Sequence, residues 1–329
     1  MERLDTGHPY SRLFPDLVLT ALETVGFRCD GRLLALNSYE NRVYQVGIED
    51  KLPVIAKFYR PGRWPRAAIL EEHAFSRELA DQEIPVIAPS QDSNGETLHQ
   101  HDVFLFAVYP RCGGRWPDLE NRAQRQQMGR FLGRLHAVGS VDRFAHRGNL
   151  DIDMLGRSAR SFLLEQRLIP DYLVEAYSTL SAELLEQIQD RFDAARPLRQ
   201  IRLHGDCHPG NILWTDAGPH FVDLDDSRNG PAIQDIWMLL SGDTDEMRTQ
   251  LEDLLEGYQT FCDFEYSGVL LIEALRTLRI MHYAAWIARR WDDPAFPRAF
   301  PWFDSPRYWE EHILSLREQA AALNQSPLL

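Results

Sequence analysis

Residues 204–211 read HGDCHPGN, and after ILW at 212–214 the chain reaches FVDLDD at 221–226. Two histidines, an aspartate and an asparagine fall within eight residues, and three more aspartates follow. RQIRL leads into the loop and ILW leaves it, so short β segments are expected on both sides to fix its backbone. FVDLDD alternates. Read as a strand, it puts Phe221, Asp223 and Asp225 on one face and Val222 and Leu224 on the other. Asp206 and Asn211 are five residues apart and Asp223 lies 17 beyond Asp206. A loop carrying the first two can therefore face a strand end carrying the third.

That set of groups suits phosphoryl transfer. The chemistry needs a carboxylate to accept the proton of an attacking hydroxyl, and oxygen ligands for Mg²⁺ on nucleotide phosphates. Mg²⁺ keeps several waters and asks for few protein oxygens. Asp206 is the base this reading expects, with Asn211 and Asp223 as the metal ligands.

Upstream, LLALNSYENRVYQVGI and PVIAKFY read as strands separated by the polar turn EDKLP. Ile69, Leu70, His73, Phe75 and Leu79 predict a helix over about 66–80. TLHQHDVFLFAVYP reads as two further strands, ending at Tyr109-Pro110, and Cys112-Gly113-Gly114 as a connector. Beyond it the pattern turns helical. Met128, Phe131, Leu132 and Leu135 fall at i, i+3, i+4 and i+7. Leu184, Leu185, Ile188 and Phe192 repeat this after Ser181, a plausible N-cap. A last long helix is expected from about Tyr266 to Trp291, stopped by Pro294. The order is α+β, a small antiparallel sheet with one helix before a larger, mainly helical part. Residues 1–110 are taken as the first domain and 111–329 as the second.

At 329 residues, with 44% hydrophobic and 26% charged, the chain has the composition of a globular protein with an ordinary core. A net charge of −14 argues against nucleic-acid binding, which needs basic side chains to displace counterions. Cys29, Cys112, Cys207 and Cys262 follow no ligand or disulfide spacing, which suggests reduced thiols in a cytoplasmic protein. The start, MERLDTGHPY, has no apolar run after a basic residue, and later apolar stretches are broken by charge. Neither a secretory leader nor a membrane partner is expected.

HGDxHxxN followed by a hydrophobic-D-x-D segment resembles the aminoglycoside phosphotransferase and choline kinase superfamily, which shares the protein-kinase fold. LNSYENRVYQ, AKFYRP-x-RW, LHGDCHxGNILW, FVDLDDxRNGPA-x-QD and RRW-x-DPAFP carry a closer resemblance to bacterial serine/threonine protein kinases within it. These motifs run from about residue 36 to 303. HxDxxxxN alone is moderately specific; the ordered set is strong.

The resemblance implies a protein-kinase-like two-lobed fold using ATP and Mg²⁺. Lys57, mid-strand in IAKFY, would reach the α/β-phosphates and be held by Glu72, with Glu71 as the alternative. NSYEN stands where a glycine-rich loop is usual yet has no glycine, so Ser38 and nearby backbone would cover the phosphates. Backbone groups of about Ala107 to Tyr109 would meet adenine. His208 would touch the transferring phosphoryl group or order the loop. His204 would buttress that loop and Asp235 would anchor it from below, while Asp226 is read as a solvated carboxylate. Only SRNGPAIQ separates Asp226 from Asp235, too short for a phosphorylatable activation loop.

The implied acceptor is a serine or threonine hydroxyl of a protein, or of the enzyme itself, in a stress-response setting, with the enzyme a monomer. The alternative is a small-molecule kinase acting on an aminoglycoside or a choline-like amino alcohol. Arg276, Arg279, Arg289 and Arg290 are awkward for a cation pocket unless they are simply solvated. Two rivals are weaker. His204 and Asp206 as part of a 2-His-1-carboxylate iron site need a distant third ligand such as His282 and normally a β-barrel. A nucleotide-binding regulator would not need the base.

Overall fold

The computed structural model describes residues 8–329; the expectation of no leader falls in part on residues 1–7, outside the described residues. In chain order the elements are α1 (Pro15–Thr24), β1 (Cys29–Ala35), β2 (Arg42–Ile48), β3 (Val54–Phe58), α2 (Arg66–Asp81), β4 (His99–His101), β5 (Phe104–Pro110), α3 (Arg122–Gly139), α4 (Ser158–Glu165) and α5 (Asp171–Ala194). There follow β6 (Ile201–Arg202), β7 (Ile212–Thr215), β8 (Gly218–Phe221), β9 (Asn229–Gly230), α6 (Ile233–Trp237), α7 (Thr244–Tyr258), α8 (Ile272–Ala288), α9 (Ala295–Ala299) and α10 (Pro306–Leu323). The chain divides into two compact units. The first runs to Asp118 and also takes in Phe144–Arg147 and His208–Ser227, segments that the sequence reading assigns to the second domain. Leu119–Arg143, Gly148–Cys207 and Arg228–Leu329 form the other.

The first unit is built on a five-stranded antiparallel sheet in the order β1-β2-β3-β5-β4. Side chains on a strand alternate between faces, and that parity sorts this sheet. Ala56 and Phe58 of β3, with Phe104, Phe106 and Val108 of β5, form one core with Val18, Ala21 and Leu22 of α1. Ala107 and Tyr109, one step out of phase, join Tyr59 and Ile69 of α2 in a second cluster. Lys57, between Ala56 and Phe58 and paired in register with Ala107, therefore leaves the sheet on the face opposite α1. The sequence reading passes over α1, whose first turn is set by Pro15.

A hairpin, β7 with β8, completes the unit. Here the alternation expected of FVDLDD fails. β8 ends at Phe221, Asp223 adopts the left-handed conformation (φ 61°, ψ 63°), and Leu224–Asp226 form a 3-10 turn. Asp225 is buried while Asp223 keeps about half its side chain exposed. Aspartate tolerates this conformation better than most residues, and the kink re-aims both carboxylates.

In the second unit α3 packs along α7. Gly129 and Gly133 of α3 lie against the backbone of Leu254 and Tyr258, where any Cβ would collide. A capping box, Asp243 with Glu246, starts α7. Two sequence expectations are corrected. Ser181 caps nothing; it lies mid-way along α5, its hydroxyl donating to the Tyr177 carbonyl at 2.6 Å and accepting from Arg160 Nε at 2.9 Å. The long last helix is a 3-10 turn over Tyr266–Leu271 followed by α8, and α9 and α10 come after it. Among the described residues no helix is long and apolar enough to cross a membrane. All four cysteines are free.

Candidate active site

Lys57 is the centre of the first unit's polar cluster. Its Nζ lies 2.7 Å from Asp223 and 3.5 Å from Asp225. Burial would lower the ammonium's pKa, but Asp223, Asp225 and Glu72 override that and hold it charged. Asp225 has a second cationic partner in Arg63, which also meets Asp226 at 2.6 Å, and it accepts from Asn41 Nδ2 at 3.0 Å. Burial would raise the Asp225 carboxyl; Arg63, Lys57 and Arg147 hold it below the usual carboxylate range instead. Asp226 is thus ion-paired at the surface rather than merely solvated.

Glu72 is buried one turn beyond Ile69 on α2, but its ion partner is Arg147 at 3.5 Å, not Lys57. The Lys57–Glu72 pair expected from the sequence is replaced by Lys57–Asp223. Lys57 still acts on Glu72 through space. Burial pushes the Glu72 carboxyl up to about 7, against the pull of Lys57 and Arg147. Glu71 works elsewhere, accepting from the backbone N–H of Ala145 and of His146 at 2.7 and 2.8 Å. Arg147 also donates to the carbonyls of Ala68, Asp225 and Ser227, tying α2 to the 3-10 turn.

Asn211 precedes β7 and Asp223 follows β8. The Val222 N–H donates to the Asn211 carbonyl at 3.0 Å, so the hairpin brings the two expected metal ligands to one end. One amide oxygen and one half-exposed carboxylate are hard ligands of the kind Mg²⁺ takes. Among the described residues no group of three or more His, Cys, Asp or Glu could hold a metal alone. His208 Nδ1 accepts from the Gly210 N–H at 3.0 Å and caps the turn at Pro209–Asn211. Of its two expected roles, the structure exhibits the ordering one. Ser38 donates to the Asn41 carbonyl at 3.0 Å, and Asn41 Oδ1 accepts from Arg60 N, so NSYEN is pinned by Asn41 rather than by glycine geometry. Ala107 and Tyr109 sit within β5, and the Tyr109 hydroxyl meets that of Tyr59 at 3.0 Å.

In the second unit the loop bearing Asp206 is held by Asp235. Its carboxylate accepts from the N–H groups of His204 and Gly205, each at 2.8 Å, and from His136 Nε2 at 3.0 Å. Gln234 Nε2 donates to the Gly205 carbonyl, and Gly205 has φ 87°, which a side chain would resist. His204 is fully buried with Nδ1 facing the Asp206 N–H at 3.4 Å. Asp206 itself is met by Arg279 of α8, Nη1 to Oδ1 at 2.5 Å.

Sequence reasoning did not assign Arg63, Asn41, Arg147 or Arg279 to the site. Arg63 stood inside a quoted motif, AKFYRP-x-RW, and a second arginine six residues after the lysine was the available signal. Arg147 carried none, and Arg279 enters the sequence reading only as one of four arginines awkward for a cation pocket.

Residues 32–272 match the phosphotransferase enzyme family, and the chain belongs to it. It is a kinase, an enzyme that transfers phosphoryl groups. Its relatives are specific. Stress response kinase A of Escherichia coli O157:H7 is 46% identical over 324 residues, 98% of each chain. Serine/threonine protein kinase RdoA of Salmonella typhimurium LT2 is 43% identical over 326 residues, again 98% of each. Among solved structures, a microcompartment-associated aminopropanol kinase has TM-score 0.70 at 16% identity, covering 95% of this chain and 100% of that one. An amicoumacin kinase in complex with AMP-PNP and Ca²⁺ has TM-score 0.69 at 16% identity over 94% of each chain. The fold is that of these kinases, an antiparallel sheet followed by a mainly helical part.

Proposed function

We propose that the chain moves the γ-phosphoryl group of ATP to serine or threonine hydroxyls of a protein, itself included, in a stress-response setting. The observation that carries the kinase chemistry is Lys57, buried in β3 and bonded to Asp223 at 2.7 Å at the end of the hairpin that also carries Asn211. Lys57 positions the nucleotide phosphates, and Asn211 with Asp223 would hold Mg²⁺. When bound, the ion neutralises phosphate charge. Glu72 tunes the electrostatics around Lys57 rather than gripping it. Ser38 and the backbone pinned by Asn41 cover the phosphates, and backbone near Ala107 and Tyr109 meets adenine. Asp206 orients the acceptor hydroxyl and takes its proton, a role typically worth about 10²–10⁴ in rate. His208 keeps the turn before Asn211 in shape.

A protein acceptor is supported by the relative named as a serine/threonine protein kinase, at 43% identity over nearly the whole chain. The second reading, a small-molecule acceptor, is favoured by the folds of the aminopropanol and amicoumacin kinases, at far lower identity. Label from γ-labelled ATP with Mg²⁺ decides between them, offered to basic and acidic proteins, the enzyme itself, aminoglycosides and choline. Label on protein is the expected result. Label confined to a small molecule would transfer the same residues to the second reading.

A further inference from the structure

Arg279 meets the proposed base directly, through a 2.5 Å contact to Asp206 Oδ1, and it keeps nearly half its side chain in solvent. It opens a stripe. Arg279, Tyr283 and Trp286 recur at i, i+4 and i+7 on α8, the spacing of one helix face, and Arg290 follows in the turn just past its end. The Tyr283 and Trp286 rings stack at 5.7 Å and 13°, and Arg290 lies over Trp286 at 5.3 Å. Phe300 packs edge-on to Tyr283, and the half-exposed Trp302 packs on Phe300 at 5.8 Å. From Arg279 to Trp286 the helix rises about 10 Å, the reach of roughly three extended residues.

The geometry points to Arg279 as the residue that sets acceptor charge: the acceptor is an acidic peptide segment whose hydroxyl residue is flanked by glutamate or aspartate. The inference rests on Asp206 being the base. A hydroxyl within hydrogen-bond reach of Asp206 carries its neighbours to within a few ångströms of the guanidinium. A carboxylate placed there is attracted and an ammonium repelled, worth roughly a tenfold preference at a partly exposed site. The partly exposed Tyr283 and Trp302 continue this flank beyond Arg279, a surface longer than a compact amine covers. Arg279 also restrains the Asp206 side chain, so it is a positioning residue as well.

The test compares kcat/KM for two synthetic peptides of equal length, each with one serine, flanked by glutamates in one and lysines in the other. Wild type should favour the glutamate peptide roughly tenfold, chiefly through KM. Arg279→Glu should invert the preference and Arg279→Lys should keep it. If thermal melting shows Arg279→Glu unfolded, Arg279→Gln replaces it and should bring the ratio close to one. Equal use of both peptides by wild type, or a preference untouched in Arg279→Glu, overturns the inference and leaves the protein-kinase reading standing. Phosphorylation of choline or an aminoglycoside with neither peptide labelled overturns both.

Discussion

At Glu72, burial and charge oppose each other, and burial wins. Its carboxyl is raised from an ordinary 4.5 to about 7 despite Lys57 and Arg147. Between those values the folded protein holds a proton that the unfolded chain has released, so stability falls as pH rises from about 5 to 7. At about 1.4 kcal/mol per unit the loss is on the order of 3 kcal/mol. Asp225 has the opposite sign: its depressed carboxyl contributes above its ordinary value of 3.8, and that contribution disappears on acidification. Glu72→Gln should therefore flatten the unfolding free energy over pH 5 to 7 in a urea series. A slope unchanged by the substitution would mean that Glu72 is already ionised at pH 5 in the folded protein. At this scale the motif makes Asp206, Asn211 and Asp223 legible as a set of candidates, and the hairpin brings Asn211 and Asp223 to one end. It was illegible where a partner lies far along the chain. Arg63 reaches Asp225 across 162 residues and Arg279 reaches Asp206 across 73, and although a motif marks Arg63 itself, no local pattern announces either pairing.

Elements were read well where periodicity is long. α2 and α3 fall where the apolar spacing placed them, and β2, β3 and β5 follow their β-rich runs. The failures share a cause. Helical spacing tells which face is buried but not where a helix begins, so it leaves the first half of α5 unmarked and makes Ser181 look like its cap. Period-two alternation likewise cannot reveal a single left-handed residue, and Asp223 is one. Asp235 was identified as the anchor of the loop ahead of β7 only through the resemblance, and its energetic weight can be argued from the contacts. Two backbone N–H groups and His136 converge on one fully buried carboxylate. Asp235→Ala leaves those donors unsatisfied, so it should lower the unfolding free energy by about 3–5 kcal/mol. Equilibrium denaturation measures this. A loss below about 1 kcal/mol would mean the loop is held by other contacts.

Over the whole molecule, the order of sheet then helices was plain from composition and periodicity, and family membership from the ordered motifs. What local pattern could not supply was the division into units, because His208–Ser227 and Phe144–Arg147 pack with a sheet built from the first 118 residues. The proposed mechanism divides the labour: Asp206 would act on the acceptor, while Asp223 and Asn211 would hold the metal with the nucleotide. The most direct test sets Asp206→Asn beside Asp223→Asn, measuring Mg²⁺-dependent nucleotide affinity by calorimetry and phosphoryl transfer on the same samples. Asp206→Asn should keep wild-type affinity and lose transfer by about 10²-fold or more, whereas Asp223→Asn should lose affinity as well. An active Asp206→Asn enzyme, or Asp223→Asn binding Mg·ATP as tightly as wild type, would contradict it.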